Sequence, residues 1–183
     1  MAMHEKGIVH LDLKPDNMLV REGLCGPELV LADFGISEAN CKHGKPSMIE
    51  PDSMITAWYR PWDMLMQHKA ELVCRCSADI WSLVVIMGEM LEGKPMFRGN
   101  TLYDVLRMIF TLLGTPKCLV SFPQWRSEVQ EPDGSGYLPG FPRWQSQLDS
   151  WPPNREELVA VGYSDDLINW FRSILGMFLT TDA

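Results

Sequence analysis

A set of polar residues that suits phosphate chemistry stands near the start of the chain, in the segment HLDLKPDNMLV at residues 10–20. Asp12, Lys14 and Asn17 supply an acid, an amine and an amide, and a second acid, Asp33, follows the next apolar run. Carboxylate and amide oxygens are ligands that Mg²⁺ prefers, and an ammonium group neutralises a transferring phosphate. With one acid left to accept a proton, the set indicates phosphoryl transfer, in which the protein mainly aligns the attacking hydroxyl and neutralises charge.

A short β-hairpin is predicted between the two acids. Residues 17–20 and 29–31 are apolar runs separated by a stretch that contains glycine and proline, which favours a tight turn. Because the strands of a hairpin lie side by side, this element can bring Asp33 back towards Asp12 and Asn17. The hairpin is therefore the element expected to assemble the site.

Helices are predicted to surround the hairpin, giving a mainly α fold. A central helix at about 77–92, capped by Ser77, has almost no polar face and is expected to be buried on most sides. Thr101 begins a second helix that ends at a glycine. After an irregular insert at about 116–163, Ser164 caps an amphipathic helix near the end of the sequence.

Composition and charge narrow the function classes. The chain has 183 residues, of which 46% are hydrophobic and 22% charged, as expected for a globular protein. A formal charge of -8 argues against nucleic-acid binding, and no apolar run is long enough to span a bilayer. Five cysteines without a repeated CxxC spacing support neither a disulfide framework nor a zinc site. An intracellular location, in the cytoplasm or the nucleus, is the expectation.

The polar segments resemble the characteristic motifs of protein kinases. HLDLKPDN at residues 10–17 is similar to the HRDLKPxN catalytic loop, and DFG at 33–35 is similar to the magnesium motif. TAWYRPWD at 56–63 resembles the TxWYRxPE segment of the cyclin-dependent and mitogen-activated kinase group. GKPMFRG at 93–99 and LLGTP at 112–116 are closest to cyclin-dependent kinases.

This resemblance implies a protein-kinase-like C-terminal lobe with a small β-hairpin. The activation segment would run over residues 33–63. No glycine-rich loop or strand lysine precedes Met1, so residues 1–183 are expected to be a partial kinase domain, truncated at both ends, without the N-terminal lobe. The face that would meet that lobe is expected to expose apolar surface.

By the same resemblance, the polar residues receive catalytic roles. Asp12 would accept the proton of the substrate hydroxyl, and Lys14 would contact the γ-phosphate of ATP. Asn17 and Asp33 would hold Mg²⁺. A lysine two places after the acid is the pattern of serine/threonine kinases, so a protein serine or threonine would be the acceptor.

Four further residues receive supporting roles from the resemblance. Thr56 would hydrogen-bond beside the catalytic acid, and Arg60 would help form the pocket that follows the phosphorylated residue. In this kinase group that pocket often accepts proline, so the specificity could be proline-directed. Asp79 would anchor the catalytic loop by accepting backbone N–H groups, and His10 would support the loop by packing.

The sequence also departs from the family pattern. Leu11 stands where most kinases carry an arginine that pairs with a phosphorylated activation loop, so control through Ser47, Ser53 or Thr56 is not expected. PWD at residues 61–63 stands where Ala-Pro-Glu is usual.

Three functions stay open at this point. The first is a serine/threonine kinase of the cyclin-dependent type that uses ATP and Mg²⁺ and is active when the missing lobe is present, with a cyclin-like or other activator as a candidate partner through that lobe. The second is a pseudokinase-like binding module, and the third is an incomplete remnant without activity. In all three cases the isolated chain is expected to transfer little phosphate, because half of the nucleotide site would be absent.

Overall fold

The described part of the chain is mostly helical, with small antiparallel sheets. The computed structural model describes residues 2–39, 46–47, 54–66, 72–73, 76–115 and 144–180. The chain divides into two compact units, Met1–Val105 and Leu106–Ala183. None of the helices in the described ranges is long and apolar enough to cross a membrane.

Three pairs of antiparallel strands occur in the described residues of the first unit. They are the hairpin of β2 (Met18–Gly23) and β3 (Gly26–Leu31), the pair of β1 (Ile8–Val9) and β4 (Glu38–Ala39), and the pair of β5 (Pro46–Ser47) and β6 (Leu72–Val73). The sequence predicted only the hairpin, because strands of two residues are too short to show an alternating pattern.

The hairpin between the two acids is confirmed and is longer than predicted. Its register runs from Met18 opposite Leu31 to Gly23 opposite Gly26, and Gly26 has a φ of 120°, which favours glycine. Aliphatic side chains on both faces are exposed, including Leu19 at 54%. The hairpin therefore owes little of its position to burial of its own side chains.

The helices are short at the start of the chain and longer towards its end. In the first unit they are α1 (Ala2–Glu5), α2 (Met54–Ala57), α3 (Trp62–Met66), α4 (Cys76–Glu92) and a 3₁₀ turn at Pro15–Asn17. Helix α5 (Leu102–Leu113) crosses the division between the units. The second unit contains a 3₁₀ turn at Leu148–Ser150, α6 (Arg155–Ala160) and α7 (Asp165–Thr180).

Helix α4 is the predicted central helix, but two details differ from the prediction. It begins at Cys76, so Ser77 is its second residue and not its cap. Ile80, Met87 and Met90 are exposed, the last at 73%, so the helix is not buried on most sides. Burial along α4 follows the helical period, and an apolar composition alone did not reveal the exposed stripe.

Helix α5 begins and ends as its sequence predicts. The Thr101 side chain accepts a hydrogen bond from the Asp104 N–H at 3.1 Å, and the Asp104 carboxylate accepts one from the Thr101 N–H at 3.0 Å. This reciprocal arrangement satisfies backbone donors that the first turn would otherwise leave unpaired. At the other end Gly114 has a φ of 92° and donates its N–H to Phe110.

In the second unit, the structure confirms one predicted cap and adds a helix. Ser164 accepts a hydrogen bond from the Leu167 N–H at 3.2 Å, so it caps α7. The predicted irregular insert contains α6 and the 3₁₀ turn, whereas residues 116–143 lie outside the described residues. The helix α6 was missed because it is only six residues long and lies between a proline pair and a glycine.

Helix α7 offers a direct test of which side chains hold the second unit together. Phe171 is 1% exposed and packs 5.0 Å from the ring of Trp151, whereas its neighbour Trp170 is 52% exposed. We expect Phe171→Ala to lower the free energy of unfolding by about 3–5 kcal/mol. Trp170→Ala should change it by about 1 kcal/mol or less. Urea unfolding followed by circular dichroism measures both, and equal losses would contradict this packing.

Candidate active site

A buried carboxylate, Asp79, anchors the predicted catalytic loop. Asp79 lies in α4 and is 0% exposed. Its Oδ2 accepts the His10 N–H at 2.9 Å, and its Oδ1 accepts the Leu11 N–H at 2.8 Å. A third donor, Nε2 of His4, reaches Oδ2 at 2.7 Å. Hydrogen bonds of this kind offset the large cost of taking a charge out of water.

His10 connects the catalytic loop to the segment before the DFG motif. Its Nε2 lies 3.0 Å from the Ala32 carbonyl oxygen, so Nε2 carries the proton, and Nδ1 accepts the Asp12 N–H at 3.3 Å. The ring is fully buried and lies 4.8 Å from the ring of Phe34. His10 therefore fixes the backbone on both sides of the site by packing and hydrogen bonding.

The side chains predicted to be catalytic, those of Asp12, Lys14, Asn17 and Thr56, come together in one hydrogen-bonded cluster. Lys14 Nζ lies 2.9 Å from Asp12 Oδ2 and 3.1 Å from Thr56 Oγ1. Asn17 donates its amide to the Asp12 carbonyl oxygen at 2.8 Å and to Asp12 Oδ2 at 3.0 Å. Lys14 thus joins the loop to helix α2, which ends one residue after Thr56.

Asp12 Oδ1 differs from every other oxygen of this cluster. Its partner atom Oδ2 accepts two hydrogen bonds, but Oδ1 is buried and has no hydrogen-bond partner among the described residues. Leaving a buried carboxylate oxygen unpaired is costly unless a ligand completes it. The unpaired oxygen is therefore the atom of this cluster best suited to receive a proton from a bound group.

A backbone hydrogen bond of the preceding residue places Asp33 near Asn17. The residue before it, Ala32, donates its N–H to the Asn17 carbonyl oxygen at 2.9 Å. The Asp33 side chain is exposed, and its Oδ1 accepts the Gly35 N–H at 3.2 Å. The structure records no hydrogen bond between the Asp33 side chain and Asp12 or Asn17, so its carboxylate stays open to solvent.

Two residues of this region hold a strained backbone. Leu11 has a φ of 67° and Asp33 a φ of 59°, and within the described ranges they are the only non-glycine residues with positive φ. Such conformations cost about 1–3 kcal/mol each and tend to occur at functional sites. They flank the candidate site on its two sides.

The chemical types of the two predicted ligands, an amide oxygen and a carboxylate, suit a magnesium ion. Because the Asn17 amide nitrogen is used by Asp12, its Oδ1 is the atom left for a cation, and Asp33 adds a carboxylate. Proteins bind Mg²⁺ through one or two such groups and leave the remaining positions to phosphate and water. The described residues contain no group of three or more His, Cys, Asp or Glu that could hold a metal, and this set does not need one.

Leu11 occupies an apolar cluster. Its side chain is 5% exposed and packs with Val9 and Ala78, and the half-buried side chains of Ile36 and Met64 pack against this cluster. Ile36 follows the DFG motif directly, and Met64 lies in α3. Apolar contact therefore joins the predicted catalytic loop to the start of the predicted activation segment, at Ile36, and to Met64, which follows the last residue of that segment.

The end of that segment is fastened to helix α4 and to the loop after it. Tyr59 donates its hydroxyl to Glu89 at 2.6 Å, and its carbonyl oxygen accepts the Ser82 hydroxyl at 2.8 Å. Trp58 donates its indole N–H to the Gly99 carbonyl oxygen at 2.8 Å. Arg60, the predicted pocket residue, is only 4% exposed. Ser53 and the side chain of Ser47 lie outside the described residues.

Sequence reasoning gave no role to several residues of this network, among them His4, Tyr59 and Glu89. His4 lies 75 positions from Asp79, and Tyr59 lies 30 positions from Glu89. Contacts over such separations leave no periodic pattern in the sequence. The only available signal was the position of Tyr59 in the WYR motif, to which no role was given.

The family model of the protein kinase domain matches residues 1–147. This range covers most of the chain and contains every site residue described above.

Burial, together with the hydrogen bond to Glu89 and the charges of Glu89 and Asp16, raises the pKa of Tyr59 above its ordinary value of 10.0. The folded protein therefore keeps a proton that the unfolded chain releases above about pH 10. This contribution to stability is complete below pH 10 and is lost as the pH rises towards the folded-state pKa, at most about 1.4 kcal/mol per pH unit.

We expect the free energy of unfolding of the wild-type protein to fall more steeply above about pH 10 than that of Tyr59→Phe. Glu89→Gln keeps a hydrogen-bond acceptor but removes the charge, so its slope should lie between the two. Urea unfolding at a series of alkaline pH values measures the slopes. Identical slopes for wild type and Tyr59→Phe would show that this tyrosine is not held in its protonated form.

Proposed function

The chain belongs to the protein kinase family, and we propose that it provides the catalytic loop of a serine/threonine kinase of the cyclin-dependent type. The reaction is transfer of the γ-phosphate of ATP to a hydroxyl group of a protein substrate. One observation carries the proposal: Lys14 lies between Asp12 and Thr56, while Oδ1 of Asp12 is buried without a hydrogen-bond partner among the described residues.

In this proposal Asp12 receives the proton of the substrate hydroxyl on Oδ1. Its other oxygen, Oδ2, is held by Lys14 and Asn17, so the carboxylate has a fixed orientation. A substrate hydroxyl seated against Oδ1 would give this buried oxygen its missing hydrogen-bond partner.

Lys14 supplies a positive charge for the transferred phosphate. An ammonium group has three hydrogens to donate, and contacts with Asp12 and Thr56 account for two of them. The third is available to an oxygen of the γ-phosphate. Because Lys14 also bonds Thr56, correct placement of its charge depends on the end of the activation segment.

Asn17 and Asp33 are the residues proposed to hold Mg²⁺. When bound, the ion neutralises charge on the phosphate oxygens of ATP. The chain itself contributes the placement of the two ligands: Asn17 is oriented by Asp12, and Asp33 is placed by the pairing of its neighbour Ala32 with the backbone of Asn17. ATP and Mg²⁺ are thus the proposed substrate and cofactor.

The specificity and control of the enzyme are also proposals. Lys14 and Thr56 together support serine or threonine as acceptor, and Arg60 would shape a pocket for the following residue, proline being the favoured candidate. The buried position of Leu11 supports control that does not depend on a phosphorylated activation loop, since leucine offers a phosphate no charge. The proposed source of regulation is then a cyclin-like activator.

A binding module without activity fits this arrangement less well. Such a module gains nothing from a buried carboxylate oxygen that lacks a partner, because desolvation of that oxygen destabilises the fold. The same holds for the strained backbone at Asp33. In a kinase site, by contrast, interactions with bound ATP and a substrate hydroxyl would offset both of these unfavourable free energies.

Substitution of Asp12 tests the proposal in the full-length natural protein. Asp12→Asn keeps the shape of the side chain but removes the proton acceptor, so kcat should fall by about 100-fold or more. Asp16→Asn is the matched control, because Asp16 is an exposed acid in the same loop, and its kcat should stay within about threefold of wild type. Transfer of radiolabelled phosphate from ATP to a mixture of peptide substrates measures both variants. Equal activity of Asp12→Asn and wild type, or no transfer by wild type with any activator, would refute the proposed function.

A further inference from the structure

We propose that Arg98 is a specificity-determining residue that recognises an anionic side chain of the protein substrate, a carboxylate or a phosphate near the acceptor hydroxyl. Its guanidinium lies over the ring of Trp58, with Cζ 5.6 Å from the ring centroid. The binding of an anion concerns Arg98 and Trp58 alone, whereas its consequence for phosphoryl transfer rests on the proposed function.

The backbone that carries Arg98 is fixed on both sides. Phe97 is 1% exposed and stacks on Trp81 with the ring centroids 6.0 Å apart. Gly99 is buried, and its carbonyl oxygen accepts the indole N–H of Trp58 at 2.8 Å. A Cβ at Gly99 would lie 2.8 Å from a backbone nitrogen of helix α5, so the chain passes close to that helix. Arg98 itself is exposed, and its side chain therefore extends outwards from a rigid base.

The contact with Trp58 holds the positive charge without using its hydrogen-bond donors. A cation within about 6 Å of an indole centroid is attracted by the electrons of the ring. The N–H groups of the guanidinium stay available for a second partner, and their planar arrangement matches two oxygens of a carboxylate or a phosphate. In the described part of the chain, no carboxylate forms an ion pair with Arg98.

Arg98 lies within reach of a peptide that occupies the candidate site. Trp58 follows Thr56 by two residues, and Thr56 contacts Lys14 beside Asp12. All five residues belong to the first compact unit. Two steps along the backbone, one indole side chain and the 5.6 Å to the guanidinium place Arg98 at most about 20 Å from Thr56. An extended peptide covers that distance in about six residues.

The charge of the whole protein gives a fixed surface cation a selective role. The chain carries a formal charge of -8, so an acidic peptide is repelled in general. A positive group at one defined place then accepts an anionic side chain at one position of the substrate and not at others. A role limited to holding Trp58 would affect all substrates equally. Selectivity between substrates is therefore the property that separates the two roles.

Peptide phosphorylation by the full-length natural protein tests this selectivity. The peptides extend about six residues on each side of a serine and carry one aspartate, phosphoserine or asparagine at each position in turn. At one position we expect wild type to prefer aspartate over asparagine by about fivefold in kcat/KM. Arg98→Gln should bring this ratio to about one, because it removes the charge. A larger ratio for phosphoserine than for aspartate would identify phosphate as the preferred anion.

Three further variants separate the charge of Arg98 from other effects. Lys94→Gln removes the same charge from an exposed residue of the same loop and should keep the wild-type ratio. Arg98→Lys keeps the charge and should keep part of the preference. Arg98→Glu should favour a lysine peptide over the asparagine peptide at the same position. A wild-type ratio in Arg98→Gln, or an equal loss in Lys94→Gln, would overturn the inference.

A binding measurement separates this inference from the kinase function. In nuclear magnetic resonance titrations, the Arg98 Nε–H and the Trp58 indole N–H should shift with an aspartate peptide and not with the matching asparagine peptide. Such shifts without any phosphate transfer by wild type would refute the kinase function while supporting the anion site. Phosphate transfer without a preference for an anion at any position, or equal shifts with both peptides, would overturn the anion site.

Discussion

The candidate site depends on one buried charge. Asp79 is fully enclosed in α4, and its carboxylate is stable there only because three donors surround it. Two of these donors are backbone N–H groups of the predicted catalytic loop. They replace the hydrogen bonds that water would give to an exposed carboxylate. Because the buried carboxylate needs these donors, the backbone of the loop is fixed at His10 and Leu11. The position of this backbone in turn determines where Asp12 and the residues after it lie.

After Leu11, a few polar contacts assemble the side chains of the candidate site. Lys14 joins Asp12 to Thr56, and Asn17 donates to the same oxygen of Asp12, Oδ2, that Lys14 contacts. The hairpin returns the chain so that Ala32 pairs with the backbone of Asn17. Oxygen and nitrogen groups that lie up to 44 positions apart in the sequence thus share one region, as phosphoryl transfer requires.

Local sequence signals predicted the local parts of this arrangement. The structure contains the local elements that depend on residues close together in the sequence. These are the hairpin with its turn at Gly26 and the helix caps at Thr101 and Ser164. The set of reactive residues was recognised because the chain resembles protein kinases, and the family match covers all of it. Their individual roles stay proposals.

Features that depend on contacts between residues far apart in the chain could not be predicted from local sequence patterns. The hydrogen bonds of His4 and Tyr59 join elements far apart in the chain, and the exposed stripe of α4 depends on what packs around the helix and not on its composition. Helix α6 is too short for its period to be recognised.

The central claim is that Asn17 and Asp33 converge on one divalent ion that is bound together with nucleotide phosphates. Paramagnetic relaxation by Mn²⁺, measured by nuclear magnetic resonance with a non-hydrolysable ATP analogue, tests this most directly. The claim predicts strong broadening of the Asn17 side-chain amide and of the Gly35 backbone amide, with little effect on Cys25 at the exposed hairpin turn. Broadening of neither amide, or of only one of the two at saturating Mn²⁺ and nucleotide, would contradict it.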